Sequence, residues 1–211
     1  MVKYRGPRVR LVRRLGKLPG LTKKNISKKK ESKTPGQHGK TADEQKKQKS
    51  SAYKVRLHEK QKLRYNYGIS ELQLLKYVKE AKRKRGLTGF LLMQLLEMRL
   101  DNIIFKIGIA PTIPAARQLI NHGHILVNKR KVNIPSFQCR PNDIISFLKR
   151  VQTTKLIERN LKEGSCSNSN NKYLEFDQDS LTIKINNLIE RKEIDFEIND
   201  MLVVEYYSRL L

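Results

Sequence analysis

The sequence predicts a mixed α+β fold in which a basic extended arm leads into a helical domain, a small helix–β-hairpin module is inserted, and a C-terminal segment packs back. Three observations predict this organisation. The first 41 residues are basic and broken by Pro and Gly, apolar residues then recur at helical spacing, and from His124 the apolar period changes to two. We therefore expect an arm at 1–41, a helical domain at 42–97 that 151–211 completes, and a helix–hairpin module at 98–150.

The arm, residues 1–41, is predicted to be irregular because proline and glycine interrupt every stretch that could form a long helix. The interrupting residues are Pro7, Pro19, Gly20, Pro35, Gly36 and Gly39. The arm also carries a cluster of arginines at positions 5, 8, 10, 13 and 14. A disordered solubilising tail is one alternative, but such a tail could use lysine, whereas guanidinium groups bind phosphate in pairs of hydrogen bonds and stack on bases. The arm holds little apolar surface, so we expect it to become ordered only with a partner.

Three helices are predicted in the domain that follows. The stretch 42–67 lacks proline and repeats its larger side chains every four residues, with a strongly basic surface. Ser70 opens a capping-box pattern, and apolar residues at helical spacing lead from it to a basic run before Gly86. Thr88 is expected to cap a helix that continues through Leu100. That helix is apolar on nearly every side, so it should be buried.

The module is predicted to combine a short helix with a hairpin. Thr112 is expected to cap the helix, Pro114 is acceptable in its first turn, and Gly123 ends it. Residues 124–134 then predict two strands joined by a tight turn at Asn128, a residue that tolerates positive φ. Further predicted elements are a strand at 143–147, a helix at 151–163, a polar linker at 164–171, and strands at 173–176, 181–185 and 201–207.

Charge is distributed unevenly along the chain. The 211 residues include 45 Lys+Arg and 20 Asp+Glu, for a formal net charge of +25. The net charge is +18 over residues 1–64, +10 over 65–150 and −3 over 151–211. The basic surface therefore belongs to the first two parts, and a polyanion such as nucleic acid is the expected partner, bound with an affinity that falls steeply with salt.

No motif for catalysis, cofactor binding or metal binding is found. The nearest approach to a phosphate-binding loop is Gly39-Lys40-Thr41, but Thr34 stands where that motif needs glycine. The four histidines lack carboxylate or thiolate partners at metal spacing, and the two cysteines form no CxxC pair. We expect no enzyme activity, no cofactor and no metal. The start lacks the apolar segment of a signal peptide, so a soluble chain with no membrane partner is expected.

The stretch from Glu97 to Phe147 is the most specific part of the sequence. Its distinctive residues are Arg99-Leu100-Asp101, Gly108, Ala116-Arg117-Gln118-Leu119-Ile120, His122-Gly123-His124-Ile125, Val127-Asn128, Pro135-Ser136 and Asn142-Asp143-Ile144. Together they resemble the small RNA-binding domain named after the fourth protein of the small ribosomal subunit. The resemblance implies an RNA-facing surface made by Arg99, Arg117, Gln118, His122, His124, Asn128 and Arg130, and a core that includes Leu100, Ile103, Leu119, Ile120 and Val127. We expect Arg117 on the exposed side of its helix.

The domain alone does not identify the kind of protein, because it also resembles modules of pseudouridine synthases, tyrosyl-tRNA synthetases and a stand-alone heat-shock protein. The segments that flank it distinguish these possibilities: they are similar to the ribosomal proteins of this family, of bacterial and plastid type. The matching segments are Tyr4-Arg5-Gly6-Pro7-Arg8, Arg13-Arg14-Leu15-Gly16, Pro19-Gly20-Leu21, Pro35-Gly36-Gln37-His38-Gly39, residues 57–64 and Val204-Glu205-Tyr206-Tyr207-Ser208-Arg209. The match covers nearly the whole chain and leaves no room for a catalytic domain.

The resemblance implies a structural component of the small ribosomal subunit. Such a protein is expected to bind ribosomal RNA directly, to nucleate assembly of the subunit body and, with neighbouring ribosomal proteins, to influence translational accuracy. Its expected partners are small-subunit ribosomal RNA, neighbouring small-subunit proteins and messenger RNA where it enters the subunit. Two alternatives stay open: a free RNA chaperone or ribosome-recycling factor, and an RNA-modifying enzyme, for which no catalytic domain is visible.

The candidate RNA-contact residues combine the arm, the basic helix after it and the module. They are Arg5, Arg8, Arg10, Arg13, Arg14, Lys54, Arg56, Lys60, Lys62, Arg64, Arg99, Arg117, Gln118, His122, His124, Asn128, Lys129 and Arg130. Three departures from the family pattern matter. The arm lacks the cysteines of zinc-binding members, Lys129 follows Asn128 where glycine is frequent, and Ala115 replaces an acidic or amide residue after the capping Thr112.

The amino-acid composition of the chain indicates where its gene is located. Abundant Lys, Asn and Ile, together with the segment 110–114, resemble plastid-encoded members of the family. We expect an organelle-encoded protein of the chloroplast or another plastid, with the bacterial cytoplasm as the alternative.

Overall fold

The structure is a computed structural model, and it describes residues 4–24, 33–37, 39, 51–148, 157, 159–161, 172–177 and 180–208. The chain divides into two compact units. Unit 1 contains residues 1–89 and 198–211, and unit 2 contains residues 90–197. No helix in the described part of the chain is long and apolar enough to cross a membrane.

Helices and short antiparallel strands make up the described residues. The helices are α1 (Arg8–Leu15), α2 (Ala52–Asn66), α3 (Glu71–Arg83), α4 (Thr88–Glu97), α5 (Leu100–Lys106), α6 (Ile113–Asn121) and α7 (Asp200–Ser208), with a 3₁₀ turn at Arg191–Glu193. The strands are β1 (Ile125–Val127), β2 (Arg130–Lys131), β3 (Ile144–Phe147), β4 (Leu174–Asp177) and β5 (Thr182–Ile185). The mixed α+β class predicted from the sequence is confirmed.

The arm is more ordered than the sequence predicted. Pro7, predicted to interrupt helices, is the N-cap of one, α1, and Gly16 is its C-cap. The leucines at positions 15, 18 and 21 are at most 5% exposed, so the segment packs as part of unit 1. The backbone N–H of Gly20 donates to Oδ1 of Asn66 at 3.0 Å, which joins the segment to the end of α2. The prediction of an irregular arm is therefore wrong for residues 8–15, whereas residues 16–24 have no regular secondary structure, as predicted, and most of residues 25–41 lies outside the described part.

The segment 201–207, predicted as a strand, is a helix. Its valines and tyrosines favour strands, but in α7 Val203 and Tyr207 lie one helical turn apart and are both buried. Oδ1 of Asn199 accepts from the N–H of Leu202 at 3.3 Å and satisfies one donor of the first turn. α7 packs along α2, so burial of one face overrides the local preference.

The helix predicted from Thr88 through Leu100 is two helices. The break falls at Arg99, whose φ of −75° and ψ of 140° are extended. The backbone around the break pairs with a later loop: the N–H of Leu100 donates to the carbonyl of Phe137 at 2.9 Å, and the N–H of Cys139 donates to the carbonyl of Met98 at 2.9 Å. These hydrogen bonds replace the intrahelical ones that a continuous helix would have made.

Unit 2 is built on a five-stranded antiparallel sheet with the order β2-β1-β3-β5-β4. The predicted 98–150 module supplies the first three strands, and β5 pairs with β3 in the register Ile145↔Ile183. The predicted domain division therefore differs from the structure, in which residues 174–177 and 182–185 extend the sheet of the module and the described residues that return to the helical unit are 198–208. Without β5, the second edge of β3 would present unpaired backbone groups.

The predicted caps and hairpin turn are confirmed. Ser70 and Thr112 accept hydrogen bonds from the backbone N–H groups of Gln73 and Ala115 at the starts of α3 and α6. Asn128 and Lys129 both have positive φ, 49° and 65°, as a tight two-residue hairpin turn requires. The predicted helices at 42–67 and 151–163 are helical in their described residues, 52–66 in the first and 157 and 159–161 in the second. The polar linker lies outside the described residues.

Candidate RNA-binding surface

The first basic surface lies on the arm segment of unit 1. Arg5, Arg8, Arg10 and Arg14 are exposed there, and we call these four residues the arm surface. Arg13 is half-buried, and its guanidinium donates to the carbonyl oxygen of Lys33 at 3.0 Å, so it holds the later part of the arm against α1. Four of the five arginines predicted in this segment therefore face solvent.

A histidine joins the arm segment to α2. Nε2 of His58 lies 3.0 Å from the carbonyl oxygen of Arg14, so the imidazole N–H donates a hydrogen bond to it. The carboxylate of Glu59 lies 4.0 Å from the other ring nitrogen, and its attraction raises the pKa of His58 above 6.5, against the opposing effect of burial. Glu59 also accepts from the backbone N–H of Asn199 at 3.1 Å, which connects α2 to the start of α7. The end of α1 that carries Arg14 is held by this network.

Most cations of α2 are at least partly buried or paired with acidic residues of the same chain. Lys54 is exposed, but Nε of Arg56 donates to Glu205 at 2.6 Å, and Arg64 lies 3.8 Å from Glu71. Lys62 is half-buried. The sequence predicted that these cations crowd the surface of the helix and contact RNA. In the structure, Lys54 is the one among them with an exposed side chain.

Lys60 corrects the prediction most clearly in unit 1. It is 4% exposed, and its ammonium lies 2.9 Å from Oε1 of Glu71 and 4.5 Å from the centre of the Tyr206 ring. Tyr207 donates a hydrogen bond to the same oxygen at 2.6 Å. Burial opposes the ionisation of Glu71, but these two hydrogen bonds and the positive charges of Lys60 and Arg64 together outweigh it and lower the pKa of the carboxyl below 4.5. Lys60 thus joins α2, α3 and α7, and its side chain is buried among them.

Two further predicted contact residues, Arg99 and Arg117, are buried in unit 2. Arg99 is 0% exposed and Arg117 5% exposed. Both guanidinium groups bind Asp101, which is 1% exposed: Arg99 through two hydrogen bonds of 3.0 and 2.8 Å, and Arg117 through one of 2.7 Å. The prediction that Arg117 lies on the exposed side of its helix is wrong.

The helix spacing could have revealed this burial. Ile113, Ala116 and Ile120 occupy positions i, i+3 and i+7 of the apolar stripe of α6, and position 117 completes that stripe at i+4. Leu119, predicted to face inward, is half-buried and packs at the edge of the core. The buried partner of Arg117, Asp101, lies sixteen residues earlier in α5, beyond the reach of helix-spacing rules.

The second basic surface combines the end of α6 with the hairpin turn. Gln118, His122, Asn128, Lys129 and Arg130 are exposed, and we call these five residues the hairpin surface. His124 is half-buried, and its ring centre lies 5.9 Å from that of His122. The side-chain amide of Asn128 donates to Asp143 at 2.8 Å, and its oxygen accepts from the N–H of Ile144 at 3.0 Å, so this residue also fixes the turn against β3.

Several exposed cations were absent from the predicted set. Lys131 and Arg140 are exposed in unit 2, and Arg83, Lys84 and Arg85 are exposed at the end of α3. Lys84 forms an i,i+4 ion pair with Glu80 at 3.0 Å. For the residues at the end of α3, the sequence signal was the run of basic residues itself. Such a run is equally typical of a helix end, where cations lie near the last carbonyl groups.

Comparisons with known proteins agree with these two units. Residues 98–145 match the S4 domain family, and residues 3–97 match the ribosomal protein S4/S9 N-terminal domain family. The small ribosomal subunit protein uS4 of Nostoc punctiforme is 55% identical over 209 residues, covering 99% of this chain and 99% of that protein. The uS4c proteins of Prototheca wickerhamii, 56% identical over 213 residues, and Cyanophora paradoxa, 53% identical over 209 residues, are covered in full. A chain that carries both domains and matches these relatives from end to end belongs to the ribosomal protein S4 family.

Proposed function

We propose that this chain is a structural component of the small ribosomal subunit that binds ribosomal RNA through the arm surface and the hairpin surface. It acts by binding and not by catalysis. The observation that carries the proposal is that two compact units of one chain each expose cations, and that the chain matches one domain family in the helical unit and another in the unit with the sheet. An exposed cation without a carboxylate partner is available to neutralise phosphate and release counterions.

Joining the two surfaces in one chain strengthens the binding. Once one unit has bound RNA, the other is held at a high effective concentration near its own site. Two modest contacts then act together, so the protein can bind and fix ribosomal RNA before other subunit proteins arrive. This supports direct binding to protein-free RNA and a role in nucleating assembly of the subunit body.

Binding to protein-free RNA is the test of this function. A transcript of the complete small-subunit ribosomal RNA should bind the purified chain without any other protein, and the complex should survive a high-salt wash when assembled into subunits. A free chaperone or recycling factor would instead be found on ribosomes in less than one copy each and would be released by the wash.

The remaining expectations concern finer points of the same function. We propose neighbouring small-subunit proteins as partners that influence decoding accuracy, and messenger RNA as a contact where it enters the subunit, both on the strength of family resemblance. Photochemical crosslinking in assembled subunits would test the messenger contact.

We also propose a plastid as the site of action, with the bacterial cytoplasm as the alternative. The uS4c relatives and the uS4 of Nostoc punctiforme are similarly close to this chain, at 53–56% and 55% identity, so sequence identity supports both settings. Localisation of the tagged protein in its own organism decides between them.

A further inference from the structure

The side chain of Lys131 crosses the backbone of Gly123. Gly123 follows α6 with a φ of +71°, a left-handed conformation that favours glycine. A Cβ atom built there would collide with Cε of Lys131 and lie 2.8 Å from its Nζ. The end of the exposed Lys131 side chain therefore lies in the space that a Cβ at position 123 would take, which brings its ammonium group beside the C-terminal end of α6.

The ammonium group of Lys131 is exposed and has no hydrogen bond or ion pair with any residue that the structure describes. Another lysine of unit 2 behaves differently: Nζ of Lys106 donates to the carbonyl of Glu193 at 2.8 Å and lies 3.4 Å from the carboxylate of Glu97. Lys106 is thus a structural residue along its whole length. Lys131 is exposed, and its charge is not paired with any residue in the described part of the chain.

Capping of α6 does not account for Lys131, although its ammonium lies near the C-terminal end of that helix. Three of the last four carbonyl groups already accept backbone hydrogen bonds. The N–H of Gly123 donates to Ile120 at 2.8 Å, that of His122 to Gln118 at 3.0 Å, and that of His124 to Leu119 at 3.4 Å. The chain itself satisfies these three groups, and Lys131 donates no hydrogen bond to a carbonyl of α6 in the described part of the chain.

Two histidines that can bind an anion lie beside Gly123. His122 and His124 flank it in the chain, with ring centres 5.9 Å apart. Imidazole N–H groups donate hydrogen bonds to phosphate oxygens, and an ammonium ion acts on phosphate as a compact charge.

We infer that Lys131, whose ammonium group lies beside Gly123, forms with the neighbouring His122 and His124 a phosphate-binding subsite for the RNA backbone. The inference rests on the proposed RNA-binding function and deepens it, because it names a contact outside the predicted set and a glycine whose missing Cβ leaves room for it. Lysine contacts to phosphate fix the position of the protein on RNA and do not select bases, so the subsite contributes affinity and salt dependence, not sequence preference.

The test measures the affinity of the full chain for a transcript of complete small-subunit ribosomal RNA at several salt concentrations. Lys131→Gln should weaken binding roughly two- to fivefold and lower the salt slope by about 0.7 to 0.9, and Lys131→Arg should restore both. Lys184→Gln removes the same charge from an exposed position on β5 and is the matched control, expected to bind like the wild type.

A second variant tests the role of Gly123. Gly123→Asn adds a Cβ while keeping a residue that tolerates positive φ. It should weaken binding by a similar factor in the wild-type background and cause no further loss in the Lys131→Gln background, because both changes remove the same interaction. Additive losses would show that Gly123 does not act through Lys131.

The outcomes separate the subsite from the proposed function. If the wild type binds with a steep salt slope while Lys131→Gln and Lys184→Gln behave alike, the subsite is wrong and the function stands. A loss of melting temperature in Lys131→Gln with unchanged affinity would likewise overturn the subsite and give Lys131 a structural role. If the wild type binds without salt dependence, the proposed RNA-binding function itself fails.

Discussion

Nε of Arg117 donates a hydrogen bond to Oδ2 of Asp101 at 2.7 Å, and both side chains are buried. Arg99 binds the same carboxylate through both oxygens, so one acid connects two arginines and joins α5 to α6. Because neither guanidinium faces solvent, neither arginine belongs to the hairpin surface.

Removing one arginine of the network should destabilise unit 2. In Arg117→Ala the buried charges lose part of their compensation, and breaking a buried ion pair costs roughly 3 to 5 kcal/mol. Gln118→Ala changes the adjacent exposed residue of α6 and should stay within about 0.5 kcal/mol of the wild type. Urea denaturation of both variants measures the difference. If Arg117→Ala is as stable as the wild type but binds RNA poorly, Arg117 contacts RNA and its structural role is contradicted.

Acid should weaken unit 1 through Glu71. Its pKa is lower in the folded chain than its ordinary value of 4.5, so the group binds protons more readily in the unfolded state. The stabilisation is therefore present above the unfolded pKa and is lost as pH falls through the folded value. Glu71→Gln should flatten the dependence of melting temperature on pH below about pH 5. An unchanged pH profile in this variant would show that Glu71 makes no such contribution.

A substitution in the hairpin turn should change the stability of the fold and the affinity for RNA in opposite directions. Lys129 has a φ of 65°, which costs a residue with a Cβ roughly 1 to 2 kcal/mol, partly offset by the extra chain entropy that glycine loses. Lys129→Gly is thus expected to stabilise the fold by about 0.5 to 1 kcal/mol while weakening RNA binding and lowering the salt slope. Parallel melts and titrations measure both effects. Weaker binding together with lower stability would mean that Lys129 contributes to the fold.

The arm segment should be protected in the free protein. Leu18 is 2% exposed, and truncation of a buried leucine to alanine costs roughly 2 to 5 kcal/mol. Amide exchange of residues 8–21 without RNA should therefore be slow in the wild type and faster in Leu18→Ala. Rapid exchange in the wild type would restore the expectation that this segment orders only on binding RNA.

The sequence correctly predicted those features that depend on residues close together in the chain. The caps at Ser70 and Thr112, the left-handed turn at Asn128 and the helix end at Gly123 each follow from short-range geometry, and all are present. The exposure of the arm arginines could also be predicted locally, because a charged side chain with no acidic residue nearby in the sequence is expected to face solvent.

Long-range packing decided what the sequence could not show. α7 is a helix because it packs on α2, and the break at Arg99 exists because residues 137–139 pair with it. The burial of Lys60 depends on Glu71 and Tyr207, which belong to two other helices. A basic residue near a motif favours the prediction of an RNA contact, but the partner of Lys60, like that of Arg117, is an acid elsewhere in the fold.

The most direct test of two-surface binding is the salt dependence of affinity for protein-free small-subunit ribosomal RNA. The variants are Arg5, Arg10 and Arg14 changed to Gln, Lys129 and Arg130 changed to Gln, and all five together. Each set should weaken binding and lower the salt slope by about 0.7 to 0.9 for every phosphate that the variant no longer neutralises, with the largest effect in the combined variant. If either set binds as the wild type does, with an unchanged slope, the chain does not hold RNA through both surfaces.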